Sequence, residues 1–185
     1  MVAATLRPET MYGQTNCFVL PEGNYGVFEM IDDEYFICSE RSVKNMSYQG
    51  LTKEEGKWTK VADVVGSELV GTPLKAPLAK YEKVYAIPLL TISMGKGTGV
   101  VTSVPSDAPD DWAALKDFQT KQGMRDHYKV KEEWVAGFDP VPIIEIPDYG
   151  NLSAVKLCED NKIQSQKDIG KLKEIKEVVY TKGFY

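Results

Sequence analysis

Gly97-Thr98-Gly99-Val100-Val101-Thr102-Ser103-Val104-Pro105-Ser106-Asp107-Ala108-Pro109-Asp110-Asp111-Trp112 is the stretch on which the reading of this 185-residue chain turns. Val100 to Val104 has the β-branched density of a buried strand. Glycines 97 and 99 frame its start, where backbone without a Cβ can come close to a ligand. Pro105 ends the strand. Ser106 or Asp107 can then cap a helix and Pro109 suits its first turn, while Asp110 and Asp111 sit where a helix N-terminus favours negative charge. Trp112, Leu115 and Phe118 continue at helical spacing. The product is a strand-loop-helix corner carrying three carboxylates, Asp107, Asp110 and Asp111. Acids at a first turn usually do no more than cap, and the local pattern asks for no more.

A second stretch changes that. Thr5-Leu6-Arg7-Pro8-Glu9-Thr10 follows a short apolar segment, Val2 to Ala4, expected as a strand. It gathers two hydroxyls, a guanidinium and a carboxylate around a proline that stiffens the turn. Together, T-L-R-P-E-T-M-Y-G-Q-T-N and G-T-G-V-V-T-S-V-P-S-D-A-P-D-D-W strongly resemble the editing domain of cytosolic-type leucyl-tRNA synthetase, the insertion that splits the catalytic fold of this class I enzyme. The resemblance covers essentially the whole chain, through P-V-P-I-I-E-I-P and G-N-L-S-A-V to K-G-F-Y. The H-I-G-H-like and K-M-S-K-S-like signatures of the synthetic site are absent, so this stretch is not expected to charge tRNA.

Composition sets the bounds. Hydrophobic residues at 43% and charged at 26% are ordinary globular values, and the length fits one domain, residues 1–185. The start in a strand and the end at Lys182-Gly183-Phe184-Tyr185 are read as those of a piece excised from a longer synthetase chain. No stretch approaches the roughly 20 apolar residues of a membrane helix, so no membrane partner is expected. Cys17, Cys38 and Cys158 are scattered and odd in number, which argues against a disulfide framework. His127 is the only histidine and there is no C-x-x-C, so no metal is expected. A reduced, cytoplasmic protein follows, monomeric in isolation. The net charge of −5 opposes phosphate binding, which leaves other domains to hold the body of any tRNA.

Along the chain, Tyr25 to Met30 and Tyr35 to Cys38 read as a hairpin around Asp32-Asp33, and Glu40 to Tyr48 as a helix capped by Ser39. Trp58 to Val65 is β-prone. Val84 to Ile92, with Pro88 inside it, reads as an edge or bulged strand. Lys116 to Glu133 is charged and helical, and its His127 reads as a surface residue. Val141 to Ile146 is read as a strand framed by Pro140, Pro142 and Pro147, Ser153 as an N-cap, and Asp168 to Tyr180 as an amphipathic helix. Short strands separated by turns predict a β-barrel-centred α+β fold with peripheral helices, which the resemblance also implies.

The resemblance implies hydrolysis of the ester joining isoleucine, norvaline or methionine to the 3′-terminal adenosine of leucine tRNA. It carries the ammonium contact to Asp111 and the exclusion of leucine to Thr10, and it places Thr5 and Leu6 along the aminoacyl ester. Asp111, Thr10 and Thr5 form the catalytic set. Arg7 would help place the adenosine, Thr98, Val101, Thr102 and Val104 would line the opposite wall, and Asp107 stands where many bacterial relatives have histidine. Asp110 reads as a first-turn surface acid. Editing implies no cofactor; ATP and magnesium belong to the full-length enzyme's synthetic reaction. No serine or cysteine triad can be built with one histidine, which points to attack by an ordered water. The alternatives are the corresponding domain of an isoleucyl- or valyl-type enzyme, a freestanding trans-editing factor, and a non-catalytic nucleoside-binding module.

Overall fold

The computed structural model describes residues 1–184. A 3-10 turn, Pro8–Gly13, leads into β1 (Asn16–Val19), whose four residues are all buried. β2 (Asn24–Glu29) and β3 (Tyr35–Cys38) form the expected hairpin. Between them Asp32 and Asp33 take left-handed backbone, φ 59° and 58°, which short polar side chains tolerate. α1 (Glu40–Ser47) begins at Ser39, whose side-chain oxygen accepts from the Ser42 N–H. β4 (Thr59–Val65) pairs along the other side of β2, with a register shift between Val27 and Phe28. Then come α2 (Gly66–Leu69), β5 (Pro73–Lys75), β6 (Lys83–Pro88), β7 (Val100–Ser103), α3 (Pro109–Thr120), α4 (Gln122–Tyr128), α5 (Ser153–Asp160) and α6 (Ile169–Phe184).

The strands make two sheets, β5-β6-β1-β7 and β3-β2-β4. β1 runs parallel to β6 and antiparallel to β7, with Cys17 opposite Thr102 and Phe18 opposite Val101. The sheets meet through Cys17, Val19, Tyr25, Leu69 and Val100. The Tyr25 hydroxyl ties them, donating to the Gly99 carbonyl at 2.6 Å and accepting from the Leu20 N–H at 2.9 Å. Gly99 has φ 77°, and a Cβ there would lie 2.8 Å from Met94, so the glycine is needed for both reasons. Leu115 and Phe118 of α3 pack on Phe18 and Ile87 of the first sheet. On its other flank Trp112 joins Leu157 of α5 and Leu172, Ile175 and Val179 of α6.

Several sequence expectations change. The fold is α+β with mixed sheets and flanking helices, but the strands do not close into a hydrogen-bonded barrel among the described residues. Short alternating strands report strand content; closure depends on edge pairing that local pattern does not encode. Val2 to Ala4 is no strand and contributes one ladder-like bond, Val2 N–H to the Ile37 carbonyl. β6 is interior, because Pro88 falls at its last position. Val141 to Ile146 stays irregular apart from one Ile146–Gly150 bridge, since neighbouring prolines remove ladder donors. The helix expected over 116–133 breaks at Lys121 into α3 and α4. Ser153 is the first residue of α5 and not its cap, and its hydroxyl is buried without a partner.

Candidate functional site

β7 and α3 build one wall. After Ser103 the chain turns through Val104 to Ala108, and Pro109 occupies the first helical position, where its missing N–H is no loss. Neither Ser106 nor Asp107 caps α3. Instead Asp111 reaches back, its Oδ2 accepting the Val104 N–H at 2.8 Å, which stitches the first turn of α3 to the end of the strand. Asp111 is 7% exposed. Burial pushes its carboxyl up to about 7, against the Val104 N–H and with help from the neighbouring charge of Asp110. Asp107 is also buried and accepts the Ser106 hydroxyl. Burial raises it too, opposed by that hydroxyl and by Arg7.

The threonine turn is the facing wall. Thr5 Oγ1 accepts the Arg7 N–H at 3.0 Å, and the Thr10 hydroxyl donates to the Arg7 carbonyl at 2.8 Å. Both threonines therefore grip the backbone of Arg7, whose guanidinium pairs with Glu9 at 3.1 Å. Pro8 fixes φ at the start of the 3-10 turn that carries Thr10. Between the walls lies a cavity of about 540 Å³, within the range of small-molecule sites.

Nine of the ten sequence-predicted residues converge on this cavity: Thr5, Leu6, Arg7, Thr10, Val101, Thr102, Val104, Asp107 and Asp111. Leu6 is 95% exposed and belongs to its rim. Thr98 lies outside the lining. Its hydroxyl donates to the Val100 carbonyl at 3.0 Å and its own carbonyl accepts the Ser39 N–H, so it braces the backbone behind β7. Asp110, read as a surface acid, also lines the cavity and pairs with Lys176 at 2.7 Å. Lys176 and Tyr180 of α6, Leu89, Thr91, Ile92, Ser93 and Lys96 between β6 and β7, and Ala4 and Ala108 beside the two walls complete it. Sequence reasoning missed these. Nothing in a Lys/Glu-rich helix distinguishes one inward lysine from its solvated neighbours.

The chemistry on offer is a buried carboxylate facing a hydroxyl-rich turn. Cys17, Cys38 and Cys158 are buried away from the cavity, each thiol pushed up by burial, Cys17 and Cys158 to about 12. They are inert as nucleophiles. His127 stands on α4 with its ring edge against Tyr128 at 4.6 Å, outside the lining. The arrangement suits a ligand carrying a positive charge and hydrogen-bonding groups, and no imidazole or thiol lines the cavity among the described residues.

The chain is similar to known proteins along its whole length. It is 54% identical to "Leucine--tRNA ligase, cytoplasmic" of Pongo abelii and 53% identical to the protein of the same name from Dictyostelium discoideum, covered fully in both cases. It spans only 16% and 17% of those proteins' lengths. Among solved structures, GlLeuRS-CP1 is 50% identical with a TM-score of 0.91, over 99% of this chain and 66% of that one. The P. knowlesi cytosolic leucyl-tRNA synthetase editing domain is 32% identical with a TM-score of 0.89, over 99% of this chain and 70% of that one. No family model matches.

Proposed function

This chain belongs to the family of cytosolic leucyl-tRNA synthetase editing domains, and we propose that its cavity hydrolyses the ester between a wrong amino acid and the terminal adenosine of leucine tRNA. The observation that carries this reading is Asp111, a buried carboxylate held by the Val104 N–H and facing the Thr5–Thr10 turn across a cavity of substrate size. An aminoacyl ester presents an α-ammonium, and a desolvated carboxylate is the strongest available partner for it. The ester then lies along Thr5 and Leu6, the adenosine towards Arg7, and the side chain among Thr10, Val101, Thr102 and Val104. With no imidazole or thiol lining the cavity, an ordered water attacks the ester carbonyl, helped by position and by the polar lining. The need for such a step is physical. A pocket separates aliphatic side chains differing by a methylene or by branching only about 10–200-fold, and a second site must remove the remainder.

In this reading residues 1–185 act as one editing domain of a cytoplasmic synthetase, monomeric when isolated, whose other parts hold the tRNA body. Editing needs no cofactor, and ATP and magnesium serve the synthetic centre elsewhere. The two open sheets, joined through Val19, Tyr25 and Val100, act together as the barrel-like body that supports the cavity.

The test is deacylation of isoleucyl-, norvalyl- and leucyl-tRNA(Leu) by the chain. Hydrolysis of the first two with leucyl-tRNA spared supports the proposal. Adenosine binding without turnover would make the domain a passive nucleoside module. The charge of −5 makes a further prediction: labelled tRNA should bind weaker than micromolar. Its affinity should fall less than about tenfold between 50 and 200 mM salt, against about 10³–10⁵ for a surface making 6–10 phosphate contacts. A steep salt slope would reveal a basic face and overturn the assignment of tRNA binding to other domains.

A further inference from the structure

α6 buries Leu172, Ile175 and Val179 against Trp112 and Leu157, while Lys176 and Tyr180, one turn apart, face the cavity. Lys176 Nζ donates to Asp110 Oδ2 at 2.7 Å and lies 5.4 Å from the centre of the Tyr180 ring. Near the far end of the helix the Arg7 guanidinium donates to the Gly183 carbonyl at 3.4 Å. One helix is thus tied to both walls of the site, to α3 through an ion pair and to the threonine turn through a backbone contact.

The ion pair sits in a particular place. The first turn of α3 carries two adjacent carboxylates, and a substrate ammonium neutralises only one. We propose that Lys176 is a positioning residue of this site: it supplies the counter-charge for Asp110, leaving Asp111 free for the substrate's ammonium, and clamps α6 as a wall of the cavity. This rests on the function proposed above. The charged and titratable groups facing Asp111 are Asp110 from its own helix and Lys176 and Tyr180 from α6. Arg7 and Glu9 come from the threonine turn and Asp107 from the turn that leads into α3, and Arg7 acts on both Asp107 and Tyr180. Asp110 raises Asp111 and Lys176 lowers it. Burial pulls the Lys176 ammonium down, but Tyr180, Asp110 and Asp111 outweigh burial and leave it above the ordinary lysine value. It therefore stays charged wherever the site would work.

The experiment follows the Asp111 carboxyl by carbon NMR in the ligand-free chain, in the wild type and in Lys176→Met, Lys176→Arg and Asp110→Asn. Lys176→Met should move its titration to higher pH by about one unit, Lys176→Arg should leave it nearly in place, and Asp110→Asn should move it lower. Opposite shifts from the two halves of one pair are not a signature of loosened packing. In deacylation, Lys176→Met should lose about fivefold in kcat/KM at pH 7, mostly through KM, and recover as the pH is raised. An Asp111 titration unmoved in folded Lys176→Met overturns the proposal whatever the activity. Shifts as expected, in a wild type that hydrolyses none of the charged tRNAs, uphold the counter-charge and overturn the functional reading instead.

Discussion

Asp111→Asn should make the chain more stable and nearly inactive. Burial holds the Asp111 carboxyl at about 7, well above the ordinary carboxylate range, so the fold prefers it protonated. The stability it contributes is complete below that ordinary range and is lost as pH rises through about 7. At pH 8 the wild type therefore keeps a desolvated charge that the unfolded chain would hydrate. Asparagine removes the charge and retains an oxygen for the Val104 N–H, so the stitch from α3 to β7 survives. At about 1.4 kcal/mol per unit of displacement, the expected gain at pH 8 is about 2–4 kcal/mol. Deacylation should lose a similar amount in transition-state stabilisation, as truncating one side of a buried charge pair does. Urea unfolding at pH 4 and pH 8, with deacylation at pH 8, checks both halves. The gain should grow with pH up to about 7 and then level off. Equal stability of the two proteins at pH 8, or an active variant, would remove Asp111 from the role given to it. Alanine is a poorer probe, because it also abandons the Val104 N–H in a buried place.

The same residue shows where a sequence stops being informative. Asp110 and Asp111 are identical side chains in consecutive positions, and the local grammar of a first helical turn treats them alike. One step of helical rotation sends the first to Lys176, 66 residues away, and the second to a backbone N–H at the end of β7. Local pattern could place the corner, since Val100–Ser103 is a strand and Pro109 opens a helix as their residue types dictate. The family resemblance, and not the pattern, separated the two acids. It also carried Thr98 into the site, where the fold turns its hydroxyl onto Val100 instead. Long-range features were illegible for a common reason. The parallel pairing of β1 with β6, the open edges of both sheets and the docking of α6 all depend on partners far along the chain. At Val141 to Ile146 two local rules compete: β-branched side chains favour a strand, but Pro140, Pro142 and Pro147 withhold the donors a ladder needs, and the prolines prevail.

Thr10 should decide which amino acid is spared, and the reason is steric. It lines the cavity at 7% exposure, and its hydroxyl is engaged by the Arg7 carbonyl at 2.8 Å, which fixes the rotamer and with it the place of the methyl group. Leucine branches at Cγ and isoleucine at Cβ, so a methyl held beside Cγ obstructs the first and passes the second. Thr10→Ala removes that obstruction, worth roughly 1–3 kcal/mol of discrimination. The variant should begin to hydrolyse leucyl-tRNA while still clearing isoleucyl-tRNA, and Thr10→Tyr should fill the space and stop both. Two further substitutions separate shape from hydrogen bonding. Thr10→Ser keeps the hydroxyl that bonds Arg7 and loses the methyl, so it should behave like alanine; Thr10→Val keeps the bulk and loses the bond, so it should still spare leucine. Deacylation of both substrates by the four variants reads the result directly. If Thr10→Ala spares leucyl-tRNA, the exclusion lies with Val104 or Thr102 on the facing strand; if serine spares it and valine does not, the hydroxyl and not the methyl sets the limit.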